Sequence, residues 1–136
     1  MGKGGVQSAG ERILIVDDDV AYCDAIADIL AYSGFRTFKA NSVDVAIAIL
    51  AEITPDLILS DTMMPGTDGR ALLRFVRGNC RLRVIPFVTV SARALPSHRS
   101  EALAAGVDGF LAKPFAAGDL LAEIGRQLDR IEGQAA

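Results

Sequence analysis

The chain is poor in the residues that build disulfide frameworks and most transition-metal sites. Its 136 residues include two cysteines, one histidine and no tryptophan. Cys23 and Cys80 do not have the spacing of a metal site, and we expect both to be free thiols in a reducing compartment. We expect His98, which follows Pro96 in a polar stretch, at the surface without a functional role. A disulfide scaffold and a zinc-finger type of site are therefore excluded.

Long apolar runs and an excess of positive charge are also absent. No apolar run approaches the ~18 residues that a membrane-spanning helix needs, so we expect no membrane insertion. Met1–Gly10 lacks the apolar core of a secretory signal, which predicts a cytoplasmic protein. The net charge is −3, from 14 basic and 17 acidic residues. This balance argues against direct nucleic-acid binding.

Short apolar runs alternate with segments of helical periodicity, a pattern typical of α/β proteins. The length fits one domain at residues 12–131, with a flexible tail at 1–11 and a second tail at 132–136. We predict strands at residues 12–16, 35–40, 57–60, 84–90 and 109–112. We predict helices at residues 20–33, 42–52, 69–77, 96–105 and 116–131, with Ser42 as the cap of the second.

The connections between these elements favour one order of strands. Parallel strands joined by helices need right-handed crossovers, with helices on both faces of the sheet. The second strand is the most polar and is placed at an edge, which favours the order 2-1-3-4-5 of the flavodoxin-like, doubly wound (βα)5 fold. Strands one and three are then neighbours, and the chain reverses direction between them. Ligands bind at the carboxyl ends of the strands at such a point.

Four of the predicted strands end in residues that suit a cation and a phosphoryl group. The first ends at Asp17–Asp19 and the third at Asp61, while the fourth and fifth end at Ser91 and Lys113. In the predicted sheet these residues all lie along one edge. A single acid after a strand is commonly a helix cap, and Asp19 fits that role. Acids, a hydroxyl and an amine on four strand ends are much harder to explain in this way.

Carboxylates gathered at one edge need a neutralising cation. Two unit charges ~4 Å apart repel by about 4 kcal/mol at an effective dielectric constant of about 20. Mg²⁺ relieves such repulsion, because it binds one or two carboxylates together with phosphate oxygens. Lys113 adds a second positive charge, and Asp61 is then placed to attack phosphorus and form an aspartyl phosphate. The protein contributes positioning and charge stabilisation to such a transfer.

At this point the chain resembles a known family, the receiver domain of bacterial two-component response regulators. The resemblance extends over residues 12–131. Each matching segment alone is a modest signal, but together, in order and with helix-sized gaps, they are a strong one. The segments are ILIVDDD (13–19), DLILSDTMMPG (56–66) with DG (68–69), VTVSA (88–92) and FLAKPF (110–115).

The resemblance implies a role for each acid. Asp61 is the expected phospho-acceptor. Asp18 and Asp61 are expected to bind Mg²⁺ directly, Asp17 mainly through water, and the main-chain oxygen of Met63 is expected to be a further ligand; Mn²⁺ is an expected substitute. Met63 and Arg93 flank the site at positions that tune the lifetime of the phosphoryl group. Both are large, and we expect them to restrict attacking water and prolong that lifetime.

The resemblance also implies roles for residues on the last two strands. Lys113 is expected to pair with Asp61 and then with a phosphoryl oxygen, and Ser91 to donate its hydroxyl to the phosphoryl group. Phe110 holds the position of an aromatic switch residue that turns inward when Ser91 moves. A plain core aromatic is an equally good interpretation of Phe110 alone. The Lys113–Pro114 peptide is expected to be cis.

The function implied is a signalling switch rather than a conventional enzyme. The phosphoryl group is expected to come from a phosphohistidine on a histidine kinase or a histidine phosphotransfer protein. The domain would catalyse its own phosphorylation and slow dephosphorylation. Output is expected through the fourth helix, fifth strand and fifth helix. Its target, which the sequence leaves unidentified, is either a separate protein or another part of a longer chain.

Three alternatives are less well supported by the residues. A phosphatase that uses an aspartyl phosphate would need a second acid two residues after Asp61, where this chain has Met63. An interaction module that is never phosphorylated would not need the intact set of acids, hydroxyl and lysine. A dinucleotide or flavin binder would need a glycine-rich loop after the first strand. That position is taken by Asp17–Asp19, which would repel phosphate in the absence of a metal.

Four arginines form a further pattern at helical spacing. If the third helix extends far enough, they share one stripe: Arg70, Arg74, Arg77 and Arg81. The buried side of that helix is predicted to consist of Leu72, Leu73, Phe75 and Val76. A solvated polar face is the simpler interpretation of the stripe, and a docking site for an acidic partner is the alternative.

Overall fold

A computed structural model of the protein describes residues 10–61, 69–92 and 95–135, the last six of these by their backbone alone. Strands and helices alternate along the chain. The strands are β1 (Arg12–Val16), β2 (Arg36–Ala40), β3 (Leu57–Asp61), β4 (Phe87–Ser91) and β5 (Gly109–Ala112). The helices are α1 (Val20–Tyr32), α2 (Val43–Glu52), α3 (Gly69–Arg77), α4 (Pro96–Ala105) and α5 (Ala117–Ala135).

The sheet has the predicted topology. Its strands are parallel and lie in the order β2-β1-β3-β4-β5, which confirms the flavodoxin-like, doubly wound fold. The register aligns Val16 of β1 with Ser60 of β3, and Ser91 of β4 with Ala112 of β5. The carboxyl ends of β1, β3, β4 and β5 therefore lie along one edge of the sheet.

Local signals fix where the helices begin and end. The Asp19 carboxylate accepts a hydrogen bond from the backbone N–H of Tyr22 at 3.1 Å, and the Ser42 hydroxyl accepts one from Val45 at 3.1 Å. Both residues are thus the helix caps that the sequence predicts. Gly106 ends α4 with a φ of 113°, a conformation that favours glycine.

Two predicted boundaries differ from those of the structure by more than one residue. β4 begins at Phe87 rather than at residue 84, because residues 81–84 form turns before it. Pro86 lies just outside the strand, where the sheet does not need a backbone N–H, and its carbonyl oxygen accepts a hydrogen bond from Ile58 at 3.0 Å. α5 continues to Ala135, past the predicted end at residue 131.

The hydrophobic core has two layers, one on each face of the sheet, because successive strand residues point to opposite faces. The layer under α2 and α3 includes Leu14, Val16, Ala46, Leu50, Leu72, Val76 and Phe87. The layer under α1 and α5 includes Ile13, Ile15, Ile26, Leu30, Leu57, Leu59, Leu120 and Ile124. Burial on both faces holds the strand ends of the candidate site in place.

Some predicted core residues are less buried than expected. Phe75 is 36% exposed, since it lies on the outer side of α3 rather than on its core side. Four other apolar helix residues pack against the two core layers but are only partly buried: Ile29, Ile47, Leu121 and Leu128. Cores of this size tolerate such partial exposure at helix edges.

Two of the four arginines on the predicted stripe, Arg77 and Arg81, donate hydrogen bonds to backbone carbonyl oxygens. α3 ends at Arg77, so Arg81 lies in the turns that follow and the stripe does not exist as one helix face. Arg81 donates hydrogen bonds to the carbonyl oxygens of Leu50 and Ile53 and to the hydroxyl of Thr54. Arg81 therefore has a structural role, which is neither of the two interpretations of the stripe, a solvated polar face or a docking site for an acidic partner.

Arg77 connects three parts of the chain. Its guanidinium donates hydrogen bonds to the carbonyl oxygens of Arg83 and Ile85, both at 2.9 Å, and of Gly106 at 3.0 Å. It also forms an ion pair with Asp108 at 2.6 Å. Arg77 therefore joins the end of α3 to the turns before β4 and to the loop between α4 and β5.

His98 is more enclosed than the sequence predicts. Its side chain in α4 is half-buried, and its Nδ1 atom is buried without a hydrogen-bond partner among the described residues. This residue is therefore at the surface, as predicted, but only partly exposed. None of the described helices is both long enough and apolar enough to cross a membrane.

The two thiols are in contrasting environments. Cys23 is fully buried in α1, with its Sγ 3.9 Å from the carbonyl oxygen of Ile15. Desolvation, assisted by the charge of Asp17, raises the pKa of Cys23 from 9.0 to about 11. Cys80 is a free, exposed thiol.

We expect a thiol reagent at pH 8 to modify Cys80 quickly and Cys23 at least about 100-fold more slowly. A rise of about two pKa units lowers the thiolate fraction by about this factor, and the thiolate is the reactive form. The measurement is the time course of modification in the native protein and in Cys80→Ser. Fast modification of the thiol that remains in Cys80→Ser would contradict the expected protection of Cys23.

Candidate functional site

Three carboxylates meet at the carboxyl edge of β1 and β3. Asp17 and Asp18 follow β1, and Asp61 is the last residue of β3, the adjacent strand. One carboxylate oxygen from each of the three lies within 4.8 Å of the others. Asp17 and Asp61 are buried, at 2% and 7% exposure, while Asp18 is exposed. The acids that the sequence predicts at one edge of the sheet are therefore close together in the structure.

Asp17 is held by hydrogen bonds on every side. Its backbone N–H donates a hydrogen bond to the carbonyl oxygen of Ala40 at 3.0 Å, and its own carbonyl oxygen accepts one from the side-chain amide Nδ2 of Asn41 at 2.9 Å. One carboxylate oxygen accepts from the backbone of Asp19 at 2.9 Å and the other from Lys113 at 3.1 Å. Both oxygens of Asp17 are therefore engaged, which leaves the exposed Asp18 more available to a ligand.

Lys113 brings a positive charge from β5 to the acids. Its backbone N–H donates to the Ser91 carbonyl oxygen at 2.8 Å, which fixes the start of its side chain. The Lys113 ammonium lies 3.1 Å from Asp17 and 3.6 Å from Asp61. The nearer partner is Asp17, whereas the resemblance assigned Asp61. The peptide that joins Lys113 to Pro114 is cis, as predicted.

The charge state of Lys113 follows from these contacts. Burial alone would lower its pKa and is the largest single influence. The hydrogen bond to Asp17 and the charges of Asp17 and Asp61 together outweigh burial, so the pKa of Lys113 is raised above its ordinary value. The lysine is therefore a permanent cation at neutral pH.

Ser91 and Phe110 lie on the two strands beyond Asp61. Val90 of β4 is aligned with Asp61, so Ser91 is one residue further toward the same edge, and its side chain is buried. Phe110 in β5 is 5% exposed, and the Arg99 guanidinium from α4 lies 5.4 Å from the centre of its ring. The aromatic ring is thus inside the protein in this structure, covered by α4.

Tyr22 is a neighbour of the site that the sequence interpretation missed. It lies in the first turn of α1, and the Lys113 ammonium is 4.3 Å from the centre of its ring. Desolvation raises the pKa of the Tyr22 hydroxyl; the Lys113 charge opposes this, while the charges of Asp17 and Asp61 add to it. The position of Tyr22 in the sequence could have revealed this contact. The first turn of a helix that follows an acidic strand end lies over that end, and Tyr22 is in that turn.

The donor set fits a hard divalent cation. Within residues 10–61, 69–92 and 95–135 it offers carboxylate oxygens without nitrogen or sulfur ligands, as Mg²⁺ prefers, and the negative charges outnumber the nearby ammonium charge. Asp18, which is exposed, is the acid with the most freedom to approach an ion, given the engagement of Asp17. The predicted ligand Met63 and the neighbouring Arg93 lie outside the described residues.

Comparison with known families agrees with this geometry. The sequence model of one protein family, the response regulator receiver domain, matches residues 13–125 of this chain. The chain belongs to this family. Receiver domains are signalling switches rather than conventional enzymes, and they interact with kinases or phosphotransfer proteins. The resemblance noted from the sequence motifs is therefore confirmed.

Individual relatives and solved structures support the assignment of this receiver domain. The phosphate regulon transcriptional regulatory protein PhoB of Escherichia coli K12 is 34% identical over 124 residues, which cover 91% of this chain and 54% of PhoB. The chain thus spans about half the length of the curated relatives it matches. A CheY-like response regulator receiver domain protein from Methanospirillum hungatei JF-1 is 29% identical, with a TM-score of 0.84, and the match covers 93% of this chain and 99% of that one.

A solved relative also contains a metal. The receiver domain of the sensor histidine kinase PA1611 from Pseudomonas aeruginosa PAO1 has a magnesium ion coordinated in its active site cleft. It is 30% identical to this chain, with a TM-score of 0.81 over 89% of this chain and 99% of that one. The acidic cluster of this receiver domain, Asp17, Asp18 and Asp61, fits a metal site.

Proposed function

We propose that this receiver domain accepts a phosphoryl group on Asp61, from a phosphohistidine of a histidine kinase or a histidine phosphotransfer protein, in an Mg²⁺-dependent reaction. The observation that supports this best is the convergence of Asp17, Asp18 and Asp61 within 4.8 Å, beside the Lys113 ammonium. The three carboxylates carry more negative charge than the Lys113 ammonium can neutralise, so a further cation is needed. A phosphoryl acceptor needs both the ammonium and this cation to balance the charge of the phosphoryl oxygens.

Asp61 is the acid best suited to be the acceptor. It lies at the end of the middle strand, where it is buried, while Asp18 is exposed and Asp17 uses both carboxylate oxygens in hydrogen bonds. In the transfer, an Asp61 oxygen forms a bond to phosphorus as the bond from phosphorus to the histidine nitrogen breaks. The Lys113 ammonium, 3.6 Å from Asp61, is placed to balance the charge of the phosphoryl oxygens.

Mg²⁺ would be held directly by Asp18 and Asp61 and through water by Asp17, with Mn²⁺ as a substitute. The ion would supply positive charge to the acids and the phosphoryl oxygens. The backbone oxygen of Met63 stays a predicted ligand. Ser91, buried at the same edge, is proposed to donate its hydroxyl to the phosphoryl group.

The phosphorylated state is proposed to alter the surface formed by α4, β5 and α5. The contact of Arg99 in α4 with Phe110 in β5 supports this, because Phe110 lies one strand from Ser91. None of the residues of α4 is fully buried, so this helix is weakly held. A movement of Ser91 and Phe110 would therefore be passed to α4 at low cost in free energy.

The proposal is tested with acetyl phosphate and Mg²⁺. We expect a mass gain of about 80 Da, the mass of one phosphoryl group, that is absent without Mg²⁺ and absent in Asp61→Asn. Asp28→Asn, which changes an exposed acid of α1, is the matched control and should retain the gain. An equal mass gain in wild type and Asp61→Asn would place the phosphoryl group elsewhere and refute the proposed acceptor.

A further inference from the structure

The aromatic ring of Tyr22 closes one side of the Lys113 ammonium. The ammonium nitrogen lies 4.3 Å from the centre of the ring, within the ~6 Å that a cation–π interaction requires. Two carboxylates lie on its other sides, Asp17 at 3.1 Å and Asp61 at 3.6 Å. The ammonium is therefore bounded by two anions and one aromatic face.

The position of the Tyr22 ring is itself well defined. Its backbone N–H donates to the Asp19 cap at 3.1 Å, which fixes the first turn of α1. The ring packs edge-on against Phe115, with 5.9 Å between ring centres and an angle of 76° between planes. Both rings pack against the core layer under α1 and α5. Tyr22 is thus a fixed surface against which a mobile side chain can rest.

Lys113 needs such a surface because its stem is long and flexible. An ammonium on four methylene groups has many rotamers, and ordering it has a substantial entropic cost. Asp17 binds it more closely than Asp61 does, so the acids alone would draw it away from the acceptor. The Tyr22 ring, which packs against Phe115, occupies one of the sides toward which the ammonium could otherwise move.

We propose that Tyr22 is a positioning residue, whose aromatic face holds the Lys113 ammonium within reach of both Asp17 and Asp61. This inference rests on the proposed function of Asp61 as the phosphoryl acceptor. The ring face carries the effect, and the Tyr22 hydroxyl is not needed for it. Tyr22 acts through Lys113 and does not touch the phosphoryl group.

The test compares phosphoryl uptake from acetyl phosphate in matched variants, so that docking of a kinase does not enter. Tyr22→Leu removes the aromatic face and is expected to slow uptake about fivefold to tenfold, whereas Tyr22→Phe should restore most of the rate. Tyr32→Leu is the control, since Tyr32 is in the same helix but is 95% exposed. In a Lys113→Met background, Tyr22→Leu should have no further effect. An equal slowing by Tyr22→Leu with and without Lys113 would overturn the proposal.

An NMR measurement tests the geometry without any phosphorylation. Protons of the Lys113 side chain next to the ammonium should show an upfield ring-current shift in wild type and in Tyr22→Phe, and should lose it in Tyr22→Leu. If wild type shows that shift but takes up no phosphoryl group, the proposed acceptor fails and the contact stands. If wild type takes up the phosphoryl group but shows no such shift, the positioning role of Tyr22 is refuted.

Discussion

Lys113→Met is expected to slow phosphoryl uptake from acetyl phosphate by about 100-fold or more. Removal of one preorganised donor from the site of developing charge commonly has an effect of ~10²–10³. The ammonium lies 3.6 Å from the proposed acceptor Asp61, and nothing in methionine replaces its charge. The measurement is the initial rate of mass gain at saturating Mg²⁺.

The same variant is expected to bind Mg²⁺ more tightly than wild type. The Lys113 ammonium neutralises part of the charge of Asp17 and Asp61, so it opposes the binding of a second cation to these acids. Titration with Mg²⁺, followed by the shift in midpoint of thermal unfolding, measures this. Opposite changes in metal affinity and phosphorylation rate would separate a role in catalysis from general damage to the site.

Lys39→Met is the matched control for Lys113→Met. Lys39 also forms an ion pair with an acid, Asp24 at 2.8 Å, but both side chains are about half exposed, at 48% and 51%. Exposed pairs of this kind contribute little to stability. Both the uptake rate and the Mg²⁺ affinity should stay near wild type. A Lys113→Met protein that is phosphorylated as fast as Lys39→Met would contradict the role assigned to Lys113.

Arg77→Ala is expected to lower the free energy of unfolding by about 3 kcal/mol. Removal of one partner from a buried ion pair commonly costs ~3–5 kcal/mol, and the side chains of Arg77 and Asp108 are about a quarter exposed, which favours the low end. The carbonyl oxygens of Arg83, Ile85 and Gly106 would also lose their donors. Denaturation in urea, followed by circular dichroism, measures the change.

Arg74→Ala provides the comparison on the same helix. Arg74 is exposed, and a substitution at an exposed position should change the unfolding free energy by less than about 0.5 kcal/mol. Arg77→Lys should recover little of the loss, because a single ammonium does not reproduce the planar array of guanidinium donors. A loss in Arg77→Ala no greater than that in Arg74→Ala would show that the network has no net effect on stability.

The position of this network matters for the site at the opposite edge of the sheet. The Asp108 carboxylate that binds Arg77 also accepts a hydrogen bond at 2.8 Å from the backbone N–H of Phe87, the first residue of β4. β4 ends at Ser91. Arg77 and Asp108 therefore fix the start of the strand that carries the candidate hydroxyl donor.

The sheet and the acidic edge could be predicted from sequence because their signals are local. Asp17 and Asp61 each follow a short apolar run, and the alternation of strands with helices leaves few arrangements for those runs. The caps Asp19 and Ser42 and the stop at Gly106 depend on the residue itself. Strand order then brings distant residues to one edge without any knowledge of their side-chain conformations.

The contacts that the sequence did not predict depend on side-chain conformations. Lys113 lies within reach of two acids, and only the geometry makes Asp17 its nearer partner. Tyr22 fits the helix pattern equally well whether or not its ring meets an ammonium. Arg77 and Arg81 have helical spacing, but the end of α3 at Arg77 places them in different environments. A residue pattern carries no information on such long-range choices.

The loose attachment of α4 has a consequence for how such a domain can diversify. Since none of the residues of α4 is fully buried, its outward side chains can be replaced without altering either layer of the core. The acids on β1 and β3 and the lysine after β5 belong to other elements and are unaffected by such replacements. If Asp61 accepts the phosphoryl group and α4 transmits that state, as proposed, one phosphorylation chemistry can in this way be coupled, through changes in a single helix, to recipients of very different shape.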